Sequence, residues 1–408
     1  MKKILFSILL LIFAFAGAQD LVDMIAPFYS YDFDNEHYNS TYPYSYPVRN
    51  SALNTGNPLS VALGGATVAA GPMAPELTVN PASLAMSKYN IIQVNGLFNQ
   101  YNNVNQNSFA GASYIVSLPV YRGSLNFAGG ITREKDYHLY YQTDDIIQRS
   151  TGGLYNWRFA SAIEIQKDIF VGAEVSLLSG KRNNDINFKN ALPSETAGFI
   201  ENNKYFGIGA RIGMNYHFLP VLMAGISLDL PTSLGVSYNL RLYDVAGSSG
   251  VDYTVKSPAV FRAGLALTLK LIDLYYSFDY ANWQNLTVRS SDLTQVAVDA
   301  LNHEVLNNFG ITQAHHFGMA LHVPLLPLHF YLGYQYLPDI YQGLNAFRLG
   351  NLVPDQLTDR FRSSFSWGAS FFLKQGLSIA AAFETYHVYY DGEKEKPKNT
   401  TLSLAYYF

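Results

Sequence analysis

Eight charged residues and four histidines are the parts of this sequence whose types and spacing could do chemistry. Arg158, Arg211, Arg262 and Arg362, with Glu164, Glu174, Asp279 and Glu384, interrupt the polar faces of alternating apolar and polar stretches. Equal numbers of each sign point to ion pairing across an enclosed space, whereas an open diffusion pore often carries a one-signed ring. His315, His316, His322 and His387 could move protons or ligate a metal. In a strand His316 and His322 would share a face three pairs apart, and no nucleophile or carboxylate stands at a telling spacing from them. The sequence therefore reads as a non-enzyme with no metal site and no cofactor.

The stretch LGGATVAAGPMAPELTVNPASLA, residues 63–85, could be a phosphate-cradling loop, a linker or an ordered plug. The first fails, because no Lys-Ser or Lys-Thr follows the glycines and the GxGxxG spacing is missing. The chain has no cysteine, which removes disulfides, haem attachment and thiolate metal sites. A net charge of −4 gives no reason to expect a nucleic-acid partner.

The elements that would position these groups are strands. Lys2 and Lys3 precede an apolar run from Ile4 to Phe15, and Ala16-Gly17-Ala18 has the small-residue pattern of a cleavage site. Residues 1–18 are therefore expected to be a signal peptide. Beyond them no apolar run is long enough for a membrane helix, although 49% of residues are hydrophobic and only 14% are charged. An aromatic content of 15%, with 31 Tyr and 26 Phe, suits the two girdles of a transmembrane β-barrel.

Alternating segments recur near 88–100, 107–119, 123–133, 152–166, 168–181, 203–217, 220–230, 257–269, 272–285, 312–323, 327–337, 361–373, 376–390 and 399–408. Fourteen is an even number, as single-chain bacterial barrels require. The connections alternate between tight ones, such as PVYRG, QKD, HFLP, KLID, PLLP and KQG, and long ones, of which 338–360 is an example. The spacing predicts an extra hairpin within 231–256. It also predicts a helix over 291–306 with Ser291 as cap and a stripe of Leu293, Val296, Ala297, Ala300, Leu301 and Val305. The fold class is all-β: a transmembrane antiparallel barrel of about fourteen strands with an N-terminal luminal hatch. The domains are 1–18 signal peptide, 19–87 hatch and 88–408 barrel.

Gly64-Gly65-Ala66, followed by small residues and then Asn80-Pro81-Ala82 ahead of the first strand, resembles the FadL/TodX family of outer-membrane transporters for hydrophobic compounds. Pro258, Gly264-Leu265 and Asp279-Tyr280 with Trp283 echo the same family. The resemblance implies a fourteen-stranded barrel whose hatch fills the lumen, and uptake of long-chain fatty acids or aromatic hydrocarbons with lateral release beside a kinked strand. Gly129 and Gly130 are the candidate kink, and Gly64, Gly65, Asn80 and Pro81 the hatch motif. Inward Phe170, Leu178, Tyr275 and Phe372 would suit an apolar ligand or the apolar face of a plug. No counterpart of the family's basic residues for a fatty-acid carboxylate is recognisable. Expected partners are a hydrophobic small molecule, outer-membrane lipid and lipopolysaccharide, and the barrel assembly machinery, with the bacterial outer membrane as location. A FadL-like barrel acting as a scaffold for secreted or surface proteins is the alternative.

Overall fold

The computed structural model describes residues 57–71, 79–101, 104–120, 124–137, 139–142, 146–188, 198–243, 249–338, 340, 361–373, 376–390, 393–395 and 398–408. The expected signal peptide, the expected hatch residues 19–56 and loop residues 341–360 lie outside them.

In chain order the strands are β1 (Ile91–Tyr101), β2 (Val104–Pro119), β3 (Ser124–Asp136), β4 (Leu139–Gln142), β5 (Ile146–Gln166), β6 (Ile169–Phe188) and β7 (Gly198–Leu219). There follow β8 (Leu222–Asp229), β9 (Ser233–Leu242), β10 (Ser249–Lys256), β11 (Val260–Thr268), β12 (Ile272–Asn282) and β13 (Thr287–Arg289). The last are β14 (Ile311–His322), β15 (Leu328–Pro338), β16 (Phe361–Phe372), β17 (Leu377–Tyr390), β18 (Glu393–Glu395) and β19 (Lys398–Tyr407). All pairings are antiparallel, and β19 closes on β1 from Ile91–Tyr407 to Gln100–Lys398. Strands β4, β9, β10, β13 and β18 are accessory, so the closed wall has fourteen strands, each overlapping a span read from the sequence, although β5, β6 and β7 continue into stretches read there as loops.

Alternation explains the closure. On β7, Phe206, Ile208, Ile212, Met214, Tyr216 and Phe218 are exposed, while Tyr205, Gly207, Gly209, Arg211 and Asn215 between them are buried. An apolar exterior around a ladder that closes on itself suits a bilayer, where backbone groups must pair within the wall, and this architecture belongs to the bacterial outer membrane. Among the described residues no helix is long and apolar enough to span a bilayer.

The hairpin expected within 231–256 is β9–β10. Strand β7 pairs with β8 along its lower half and with β9 along its upper half, and β10 in turn pairs with β13. The helix runs from Gln295 to Asn308, and its cap is Thr294, whose side chain accepts from the Ala297 amide at 3.3 Å, not Ser291. Val298, Leu301 and Val305 are its buried side, and Val296 is exposed. Leu301 and Val305 of the predicted stripe are thus on the buried side, while Val298 takes the place that the spacing gave to Val296. The helix packs its own loop down: the Val288 amide donates to Asn302 Oδ1 at 2.7 Å, and Asn302 Nδ2 donates to the Val288 carbonyl at 3.0 Å.

Candidate functional site

Residues 57–71 and 79–87 lie inside the wall and are buried almost throughout. Asn57 caps the helix Pro58–Ala62, and Asn80 caps a 3₁₀ turn over Pro81–Met86 by accepting from the Ala82 amide at 3.1 Å. In both, a proline follows the cap, where its missing N–H costs nothing. Gly64 and Gly65 hold φ of +61° and +78°, a left-handed turn open to glycine at little cost.

The inner wall receives this segment on a ring of glycines. A Cβ on Gly172 would stand 2.6 Å from the Pro81 carbonyl carbon, one on Gly264 2.8 Å from Val68 Cβ, and one on Gly318 2.9 Å from the Leu63 oxygen. Gly213, Gly225, Gly333 and Gly368 meet Asn80, Val68, Gly64 and Ala62 in the same way. Polar wall side chains satisfy the segment's backbone, as burial requires. Asn126 Nδ2 donates to the carbonyls of Leu84 and Ser87, Ser227 Oγ to Val79 at 2.9 Å, and Ser366 Oγ to Ala62 at 3.3 Å. Ser277 Oγ accepts from the Val68 amide at 3.2 Å. Asn80 reaches back across the segment, donating to the Val68 carbonyl at 2.7 Å.

Above the glycines runs a belt of alternating charge. Arg158 lies 2.5 Å from Glu134 and 2.9 Å from Glu174; Arg211 lies 3.9 Å from Glu174 and bonds Asp229. Arg262 lies 2.7 Å from Asp229 and 3.1 Å from Asp279, which faces His316 at 3.7 Å. His316 Nδ1 then donates to the Gly64 carbonyl at 2.8 Å, so the belt ends on the inner segment. Five of the eight charges singled out in the sequence belong to it. Glu164 instead accepts from the Asp168 amide at a tight turn, Glu384 accepts from Gln335 and Ser364 on the far wall, and the Arg362 side chain lies outside the described residues. Glu134, Asp229 and His316 complete the belt. Glu134 was not visible as an inward residue because it is the extra residue of a β-bulge, where the β3–β5 register jumps from Arg133 to Lys135.

The belt separates two apolar clusters. The lower one joins the inner segment to Phe170 and Tyr275, among others. The upper one holds Leu178 with Leu154, Tyr205, Val236, Trp283 and Val305. Phe372 stands at the lower rim, its ring 5.6 Å from His329 and 5.8 Å from Tyr407. The four sequence candidates are thus not one site: Leu178 is on the long-connection side of the belt, and the other three are on the tight-turn side. Beside the upper cluster, Arg133, Lys135 and Arg182 are buried, and Lys135 and Arg182 lie over the Tyr137 ring at 6.0 and 5.7 Å. On the accessory hairpin, burial and then the Glu201 carboxylate push the Tyr238 phenol up, so it remains a donor to Glu201 Oε1 at 3.2 Å.

His315 points outward against Tyr276, and His322 contacts His329 at 2.6 Å and Asp273 at 2.8 Å. Among the described residues no group is placed to hold a metal. Gly129 and Gly130 are paired on both sides, to Tyr114 and Ser113 of β2 and to Phe159 and Arg158 of β5. Among the described residues, β2–β3 pairing ends just above them, at Gly111–Thr132, while both strands continue.

No family model matches the sequence, and no curated protein matches it. Solved structures do match in fold. A FadL homologue from Pseudomonas aeruginosa aligns with a TM-score of 0.61 at 12% identity, over 87% of this chain and 98% of that one. The toluene transporter TbuX of Ralstonia pickettii aligns at 0.59 and 15% identity, over 87% and 99%. The monoaromatic hydrocarbon channel CymD aligns at 0.59 and 14%, over 87% and 98%. The chain is similar to these in fold, and the resemblance read from its residues holds at that level.

Proposed function

We propose that this barrel takes up hydrophobic small molecules across the outer membrane, holding them in the outer lumen and releasing them through the wall. The observation that carries the reading is the stacking order of the lumen. An apolar cluster lies outermost, a charged belt beneath it, and a close-fitted segment beneath that. An apolar molecule gathered beside Leu178 would have to cross buried charge and displace the inner segment to move straight through. A sideways route is the cheaper one, because lipid is as apolar as the ligand. The end of β2–β3 pairing directly above Gly129 and Gly130 supports an exit there. Glycine at 129 also leaves room, since a Cβ would meet only the Phe159 ring, at 3.8 Å.

Residues 19–87 act as the hatch in this reading, with Gly64, Gly65, Asn80 and Pro81 as its turns and caps. Phe170 and Tyr275 serve as its apolar seat, while Leu178 faces the ligand. Arg133, Lys135 and Arg182 beside the apolar tier favour a carboxylate-headed ligand, a long-chain fatty acid, over a neutral aromatic hydrocarbon. The protein performs no chemistry on what it carries. Uptake of labelled oleate and of labelled toluene by cells with and without this protein tests the reading. Oleate uptake that depends on the protein and drops at least tenfold in Leu178→Arg is expected, that residue being buried beside the ligand tier. Unchanged uptake of both compounds on removing the protein would sink transport. It would favour a surface scaffold instead, for which the ordered outer wall of β7, β9, β10 and β13 provides a platform.

A further inference from the structure

The tight-turn rim is apolar where an aqueous rim would be polar. Leu219 and Val221 flank Pro220, Leu269 and Leu271 flank Lys270, and all four are exposed. Leu325 is fully exposed in the Pro324–Pro327 turn and holds a φ of +68°. A leucine in left-handed backbone is strained, and in water its exposure would add nothing to offset that strain. The lipid-facing stripe of β7 from Phe206 to Phe218 covers about 40 Å of strand, or roughly 30 Å of height at a tilt near 40°. That height uses up an apolar band of about 25 Å, so the rim falls in the headgroup layer rather than below it.

The rim's charge is one-sided. Lys88, Lys167 and Lys270 are exposed there, and the sequence adds Arg122 and Lys374 in the turns PVYRG and KQG. Of the described acids near these turns, Asp273 is buried against His322, Glu164 accepts from the Asp168 amide, and Asp168 itself lies 3.9 Å from His217. Leucines that reach into lipid beside cations at the phosphate level match an anionic phospholipid surface in both depth and charge.

Short turns of outer-membrane barrels lie on the periplasmic side, and we infer that this rim of tight turns is a binding surface for anionic phospholipid of the inner leaflet, with Leu325 and its neighbours inserted and Lys167 and Lys270 on the headgroups. The test is independent of transport. Because the chain has no cysteine, Leu325→Cys, or Leu271→Cys if the first folds poorly, gives one attachment point for a fluorophore on the full chain. In mixed phosphatidylcholine–phosphatidylglycerol vesicles, brominated lipid should quench the label and iodide should not. Brominated phosphatidylglycerol should quench about twofold more than brominated phosphatidylcholine at equal fraction. Adding Lys167→Gln and Lys270→Gln should bring the two lipids level. A label open to iodide and untouched by brominated lipid overturns the inference and leaves the rim to a periplasmic protein. Equal quenching by the two lipids at native charge overturns it as well.

Discussion

At the scale of single residues, the inner wall is decided by the absence of side chains. Replacing Gly172 by Val would drive its side chain into Pro81, and Gly264→Leu would do the same to Val68. Each should cost about 1–3 kcal/mol if the inner segment shifts to relieve the overlap. The expected outcome is a lower urea midpoint and noisy conductance in planar bilayers, with Gly71→Ala, a position with open space around it, as the unchanged control. Asn80→Ala removes a cap worth about 1 kcal/mol and leaves the buried Val68 carbonyl without this donor, so its urea midpoint should fall further than that of a surface Asn→Ala such as Asn285→Ala. The Gly-Gly-Ala and Asn-Pro-Ala motifs marked this segment in the sequence, but its left-handed glycine turn and its Asn57 and Asn80 caps became visible only in the structure. The ring of receiving glycines was not legible, because glycines 172, 213, 264 and 318 come to one height only through the stagger of the strands.

At the scale of elements, the belt links eight strands, β3, β5, β6, β7, β8, β11, β12 and β14, and its middle is Asp229. Asp229→Asn leaves Arg211 and Arg262 facing a neutral amide and should destabilise by about 3–5 kcal/mol. Asp168→Asn, exposed and 3.9 Å from His217, should change stability by less than about 1 kcal/mol. Thermal unfolding followed by gel mobility would separate the two, and equal shifts would refute the belt's structural weight. Period-two alternation sufficed to place fourteen strands and to find five belt members. Glu134 was hidden by a bulge that shifts the face by one residue, and Asp229 because the sequence does not show which strand ends lie opposite each other. The helix cap was misplaced because Leu293 was counted into the helix, whereas the helix begins after Thr294 and its buried side, packed towards Trp283 and Val288, starts at Val298.

At the scale of the whole molecule, alternation of tight and long connections separated the two rims of the barrel before any contact was known. The order of the tiers was not legible, since it depends on shear and on where a buried segment comes to rest. A chain lacking residues 57–87 should form steady, large conductances in planar bilayers, whereas the full chain should not; silent channels from the truncated barrel would show that the wall closes the lumen unaided. The inner segment bonds or abuts wall residues from Ser117 and Asn126 on one side round to Ser366 and Gly368 on the other. Such a segment is too tightly engaged to be threaded into a finished cylinder. A sheet that wraps around it before β1 meets β19 avoids that threading, and the stretch would then work as a mandrel during biogenesis; removal of residues 57–87 should therefore slow barrel closure, as followed by gel mobility during refolding.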